Sequence, residues 1–422
     1  MKTKTILFVF LVLGIAFAYV LYKPVPDGFP EPWKYRATVT AAQTISLLNT
    51  MRMCARDIRC PNAFEEAREF FRIMSTLVQQ PPSEVPGSNI RSRLDTFGGV
   101  RVRVYEPKVR GREEPLPAFI FFHGGGLAMG SIEFYDPAVR MISERLGIVG
   151  VAVGYRLAPA HTFPAAHDDA ITATKWLLTH AKEMAVDPRR VAVIGDSAGG
   201  HLAAVVSAAI ADDATLPDIK LQVLLYPWLQ SLDLNTPSIQ KMRCNAFHGP
   251  MPVLELAPYF TTAYTLGYTD DDNDIGRQIY ANNHTSAEFK QSAAYQKYFN
   301  HDLVPADMKI DCYKRSLSFD FGNDDLWRSL KSIWMSEKFS PLLRDDMSSL
   351  PRTFVATFGY DYLRDDGIFY VERLKAAGVP VRWENYELGY HAIQWFGDVT
   401  FEIGRQMADD FVSYIREYLW SE

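Results

Sequence analysis

Short apolar runs rich in β-branched and aromatic residues recur along this 422-residue chain at Val100–Tyr105, Ala118–Phe122, Ile148–Tyr155, Val191–Gly195, Leu221–Tyr226, Thr353–Phe358 and Val381–Tyr386. Each predicts a strand. Helix-like stretches separate several of them. "FPAAHDDAITATKWLLTHAKEM" (163–184) is amphipathic, with Ile171, Thr174 or Lys175 and Leu178 at helical spacing, and "GGHLAAVVSAAIADD" (199–213) is apolar on most sides. Strands alternating with helices predict an α/β fold: a mostly parallel central sheet with helices on both faces. Two regions break the rhythm: about 35–92, mostly helical in pattern, and about 231–347, which mixes aromatics, prolines and the acidic run "DDDND" at 270–274. Both are expected to lie over the sheet as added material. The expected divisions are an N-terminal segment at 1–23, a cap region at 24–92, a core at 93–230, a cap insertion at 231–347 and the rest of the core at 348–422.

The first residues, "MKTKTILFVFLVLGIAFAYVLYKP", place Lys2 and Lys4 before an uncharged apolar run from Ile6 to Tyr22. At about 1.5 Å per residue the run spans roughly 25 Å, near the lower limit for a membrane-crossing helix. Ala16-Phe17-Ala18 fits a small-x-small cleavage pattern, so these residues leave open a signal-anchor or a cleaved signal peptide. Both imply an oxidising compartment in which Cys54, Cys60, Cys244 and Cys312 can pair, and four cysteines allow three pairings. Asn283-His284-Thr285 is an N-glycosylation sequon. With 48% hydrophobic and 22% charged residues the composition is that of a globular protein. A net charge of -6 without long basic runs gives no footprint for nucleic acid. No Cys/His cluster stands at metal-ligand spacing, so no metal is expected.

The chemistry concentrates where "VAVIG" runs into Asp196-Ser197-Ala198-Gly199-Gly200 and then into the apolar helix. G-x-S-x-G between a strand and a helix predicts a sharp turn that exposes the serine at its tip. Side chains at Gly195 and Gly199 would collide with the neighbouring strand and helix. The N–H of Ala198 and the helix dipole then face any developing oxyanion. A second loop, His123-Gly124-Gly125-Gly126, follows the strand at 118–122, and such loops supply the other half of an oxyanion hole. The residues alone leave open which of Gly124, Gly125 and Gly126 donate. His123 is expected to hold the loop. A serine nucleophile needs a base and an orienting carboxylate, in the order Ser, Asp or Glu, His. His391 alone among the nine histidines lies beyond the strand at 353–358, and Asp361 follows that strand directly. His201 is the weaker rival base. Asp365, Asp366 and Glu387 are the weaker rival acids.

With these residues in place the chain resembles the arylacetamide deacetylase group within the hormone-sensitive-lipase branch of α/β-hydrolases. The resemblance rests on "HGGG" (123–126), "YRLAPAHTFPAAHDD" (155–169), "GDSAGG" (195–200), "SPLL" (340–343), "YDYLRDDG" (360–367), "GYH" (389–391) and the N-terminal "YKPVPDGFPEPW". It implies an α/β-hydrolase fold with a largely helical cap and a cofactor-free serine hydrolase. Ser197 would be the nucleophile, His391 the base and Asp361 the acid, with Gly124, Gly125 and Ala198 in the oxyanion hole. It further implies a single-pass endoplasmic-reticulum anchor with a lumenal catalytic domain, in place of secretion. The expected substrates are small lipophilic esters or amides. The alternatives are cholesteryl or glyceryl esters, or a non-catalytic ligand-binding role like that of the plant gibberellin receptor, which resembles the same family and lacks the histidine. Two features depart from the pattern: Leu127 stands where an aromatic commonly follows HGGG, and the segment near 267–330 is longer than usual.

Overall fold

Eight strands form a single sheet: β1 (Ile90–Phe97), β2 (Val100–Pro107), β3 (Leu116–Phe122), β4 (Val149–Val153), β5 (Val186–Asp196), β6 (Leu221–Leu225), β7 (Arg352–Tyr360) and β8 (Val381–Tyr390). Their spatial order is β1-β2-β4-β3-β5-β6-β7-β8. β1/β2 and β2/β4 pair antiparallel, and every pairing from β4/β3 to β7/β8 is parallel. The computed structural model describes residues 23–422 except 55–64, 66, 70–71, 73–80, 109–113, 246, 248, 251–252, 268–274, 310–311, 316–319, 395–400 and 421–422.

Period two decides which helix each strand residue meets. On β3, Ile120 and Phe122 join one core with Leu177 of α3 (Ala165–Thr179), Leu202 and Val206 of α4 (Ala198–Ala211) and Val371 of α11 (Arg364–Ala376). Phe119 and Phe121 join the other, with Ile142 of α2 (Asp136–Leu146) and Phe411 and Ile415 of α12 (Glu402–Leu419). Strands covered on both faces carry continuous apolar runs, which is why all seven residues of β3 and all five of β4 and β6 are buried.

The expected strands are all present, and β1 is an addition that begins at the end of the stretch read as helical. Only Ile90, Ser92 and Phe97 of its eight residues are buried, so no apolar run marks it. The turn into β2 is Gly98-Gly99, both at positive φ (59° and 89°), the conformation that a two-residue hairpin loop favours.

Helix α1 (Pro32–Cys54) leads into the sheet. The insertion between β6 and β7 is helical: α5 (Pro237–Cys244), α6 (Val253–Leu266), α7 (Ile275–Tyr280), α8 (Ala287–Gln291), α9 (Ala293–Tyr298) and α10 (Asp324–Trp334). Buried carboxylates tie the insertion to the core. Asp365 accepts the N–H of Ser238 at 2.6 Å and pairs with Arg364 at 2.9 Å, and Asp366 accepts the N–H of Leu229 at 3.0 Å. A disulfide joins Cys244 to Cys312, which selects one of the pairings left open. Cys60 lies outside the described residues, as does the side chain of Cys54.

One expectation needs correction. Among the described residues no helix is long and apolar enough to cross a membrane. The single-pass anchor, the membrane as a partner and the endoplasmic-reticulum placement therefore have no support in the fold. The apolar run that suggested them, at 6–22, and its cleavage pattern lie outside the described residues.

The disulfide closes a loop with a sequence separation of 68. Replacing Cys244 and Cys312 by serine is expected to lower stability by about 2–4 kcal/mol, seen as an earlier thermal unfolding transition. An unmoved transition would mean that packing alone holds the insertion.

Candidate active site

Strand β5 ends at Asp196 and helix α4 begins at Ala198, so Ser197 must reverse the chain alone. It does so at φ 55°, ψ -120°, a backbone that a residue with a side chain rarely adopts and keeps only when its surroundings over-determine it. Three hydrogen bonds do this. The Ser197 N–H donates to Leu225 O at 2.8 Å, and its carbonyl accepts from the N–H of His201 (3.1 Å) and of Trp228 (3.2 Å). The flanking glycines are required by contact. A Cβ on Gly195 would lie 2.1 Å from the Gly199 carbonyl oxygen, and one on Gly199 would lie 1.9 Å from that of Phe122.

Neighbouring parallel strands deliver the other two residues to the same edge. Asp361 follows β7 and His391 follows β8. His391 Nε2 stands 3.0 Å from Ser197 Oγ, and Nδ1 stands 2.8 Å from Asp361 Oδ2. The hydroxyl can thus donate to Nε2 while Nδ1–H donates to the carboxylate. Asp361 is buried, and its other oxygen accepts the Leu363 N–H at 2.9 Å, which fixes its rotation. The rivals are engaged elsewhere. Glu387 is largely exposed beside Lys241, Asp365 and Asp366 brace the insertion, and His201 turns away from Ser197 into a buried pair with His167.

The glycine loop requires a correction. The Gly124 N–H donates to Asp196 Oδ1 at 2.9 Å, so it is not free for an oxyanion. Gly125, Gly126 and Ala198 line the cavity beside Ser197. Asp196, buried, also accepts from the hydroxyls of Tyr135 and Tyr226 through Oδ2, each at 3.1 Å. The residue before the serine therefore holds the glycine loop in place. The chain alone could not reveal this, because the partners come from 124, 135 and 226. His123 is structural as expected: its ring stacks on Tyr155 and its Nδ1 faces Gly124 O at 2.8 Å, while burial pushes its pKa down to about 4.

The cavity over Ser197, partly open to solvent, has a volume of about 140 Å³, close to the ~150 Å³ of an apolar cavity that holds a benzene. Met129, Phe134, Trp228, Leu234, Val253 and Phe260 supply much of its wall. Asp366 also lines it. Burial pushes that carboxyl up to about 8, against the hydrogen bonds from Leu229 and Gln230, so it is mostly neutral at pH 7 and the wall keeps its apolar character. Leu127, in place of an aromatic, is buried at φ 58°. Asn283 of the sequon is half-buried and donates to Gln278 at 2.5 Å, and Thr285 is buried.

Among the described residues no group of three or more His, Cys, Asp or Glu could hold a metal ion. The family pattern described as alpha/beta hydrolase fold matches residues 119–291 and 292–395. The chain belongs to that family. It is 33% identical to arylacetamide deacetylase of Bos taurus, over 98% of this chain and 99% of that protein. It is also 33% identical to neutral cholesterol ester hydrolase 1 of Pongo abelii, over 95% of this chain and 96% of that one. Among solved structures it resembles EstE1, a thermostable carboxylesterase from a metagenomic library, at 29% identity and TM-score 0.59, covering 85% and 97% of the two chains. Fold and relatives together support a carboxylesterase-type hydrolase.

A carboxylate only accepts, and the groups around Asp196 named above all donate. Asp196→Asn sets an amide N–H against one of them and frees the glycine loop. Ester hydrolysis is then expected to lose kcat with little change in KM, approaching the roughly 100-fold loss that follows removal of one oxyanion donor. Unchanged kcat would show that the loop holds without the carboxylate.

Proposed function

We propose that this chain is a serine hydrolase that cleaves small lipophilic carboxylic esters, or arylamides, through an acyl-enzyme. The observation that carries the reading is the continuous hydrogen-bond chain from Ser197 through His391 to Asp361 at the floor of an apolar cavity.

In the first step His391 Nε2 takes the Ser197 proton as Oγ attacks the carbonyl carbon. Asp361 keeps the ring in the tautomer that accepts at Nε2 and stabilises the imidazolium that forms. The developing oxyanion is bound by the N–H groups of Ala198, Gly125 and Gly126, with the start of α4 adding the positive end of its dipole. His391 then returns the proton to the departing alcohol or amine. Water, activated by the same nitrogen, releases the acid and restores Ser197. This reading uses no metal or cofactor.

A cavity of benzene-like capacity favours short acyl or aryl groups over the cholesteryl or glyceryl esters that the same machinery would serve. The relatives' names divide between arylacetamide deacetylase and neutral cholesterol ester hydrolase and favour neither substrate class. The test is turnover of aryl esters of increasing acyl length by the purified chain, with Ser197→Ala as control. The expected result is a maximum at short acyl chains and a loss of about 10⁴-fold or more in the variant. A maximum at long chains would move the assignment to a lipid-ester hydrolase. Equal turnover in the variant would remove Ser197 from the mechanism.

A further inference from the structure

Behind the elbow, three side chains from three helices form a continuous buried chain of hydrogen bonds. Tyr264 OH of α6 lies 2.6 Å from His167 Nδ1 of α3. His167 Nε2 lies 2.7 Å from His201 Nε2 of α4, and His201 Nδ1 lies 3.1 Å from the carbonyl oxygen of Trp228. All three side chains are buried. The reaction outlined above uses none of them.

The contacts fix the direction of the chain. A carbonyl only accepts, so His201 must carry its proton on Nδ1, and in a neutral ring Nε2 is then a lone pair. His167 must therefore donate from Nε2, which leaves its own Nδ1 as acceptor for the Tyr264 hydroxyl. The order is Tyr264 O–H to His167, His167 N–H to His201, His201 N–H to Trp228, with every ring nitrogen satisfied. A second proton on His201 would set N–H against N–H, and one on His167 would turn the Tyr264 hydroxyl from donor to acceptor. Burial opposes such a proton. It pushes His201 down to about 3 and His167 well below the usual histidine range, and on His167 the His201 ring and the Lys338 ammonium push the same way. The main-chain carbonyl of Lys338 faces both rings and raises both values in part. Asp168 and Asp169 face Tyr264 from the helix that carries His167.

One end of the chain reaches the cavity, and the other stands on the helix that carries a cavity residue. Trp228 lines the cavity, and its ring stacks on His201 with centroids 4.6 Å apart. The Trp228 N–H donates to the carbonyl of Ser197, so the residue whose carbonyl receives the chain also braces the strained serine. At the other end Tyr264 stands one helical turn after Phe260. The Phe260 ring covers Gly126 so closely that a Cβ there would fall 2.4 Å from it. The main-chain carbonyl of Tyr264 accepts from Phe163 at 2.8 Å, and Phe339 packs against Phe163, Trp228 and Tyr264.

We propose that Tyr264, His167 and His201 form a one-way hydrogen-bond relay that fixes the spacing between Phe260 and Trp228, two of the aromatic walls beside Ser197, and so sets the size of acyl group the cavity takes. All three are positioning residues. The inference rests on the reading of Ser197 as the nucleophile.

Two measurements on the full chain test it, one without catalysis. Nitrogen-15 NMR of histidine-labelled protein at pH 7 should show, besides other buried rings such as His123 and His284, a pair of neutral rings of opposite tautomer joined Nε2 to Nε2. The Nδ1–H ring is His201 and the Nε2–H ring is His167, assigned by loss of the second in His167→Gln. Two like tautomers, or a cationic ring, would overturn the relay. The second measurement is the ratio of kcat/KM for a short-chain to a long-chain aryl ester. Tyr264→Phe and His167→Leu release α6, and each is expected to reduce that ratio about tenfold, chiefly by raising KM for the short ester. His167→Gln keeps a donor toward His201 and should restore most of the ratio. Tyr264→Phe removes one oxygen only and serves if His167→Leu does not fold. A lowered unfolding temperature with an unchanged ratio would reduce these residues to core packing and overturn the proposal. Failure of the nucleophile reading is separate: it appears as turnover that survives Ser197→Ala, whatever the tautomers.

Discussion

The backbone of Ser197 is the constraint from which the rest of the site follows. A left-handed residue at the end of a parallel strand is unfavourable by order 1–3 kcal/mol, and it persists because neighbouring groups leave it no alternative. Leu225 and Trp228 hold its peptide groups from the strand edge, the first turn of α4 closes on it, and the absence of side chains at 195 and 199 lets strand and helix approach. In return the hydroxyl is carried clear of the turn, at hydrogen-bond distance from an imidazole and next to the start of a helix. The parallel sheet contributes the remainder. It brings the carboxyl ends of β5, β7 and β8 to one edge, so residues at 197, 361 and 391 converge without any local motif joining them.

Electrostatic order around that edge comes from carboxylates that do different work by position. Asp361 orients the imidazole. Asp196, one residue before the serine, gathers donors from 124, 135 and 226 and so couples the glycine loop to the elbow. Asp366 ties the loop after β6 to the core while presenting a mostly neutral carboxyl to the cavity. The cavity therefore presents a wall with little charge beside a site rich in fixed donors, the arrangement that makes such donors most effective.

Much of this was legible in the chain because the strands that carry it are buried on both faces and write themselves as apolar runs. The elbow, the glycine loop, His391 and Asp361 stood at the ends of those runs, so locating the runs located the residues. β1 escaped because an edge strand that is largely solvated carries no apolar run, and only the Gly98-Gly99 turn marked it. The exclusion of Gly124 as a donor escaped for a different reason: it depends on where the carboxylate of Asp196 points, a three-dimensional fact with no local signal. The same holds for His167 and His201. They lie 34 positions apart, and each reads as an ordinary helical residue until α3 and α4 pack together. The apolar N-terminus shows the opposite risk, since a strong local pattern invited a membrane placement for which no described helix provides support.

The central claim is that Ser197 is the attacking atom and that His391 activates it. The most direct measurement is to trap the enzyme with an aryl phosphonate ester and locate the adduct by peptide mass spectrometry. The account predicts one stoichiometric adduct on Ser197, formed far more slowly in His391→Ala. An adduct on another residue, or trapping at an unchanged rate without His391, would contradict it.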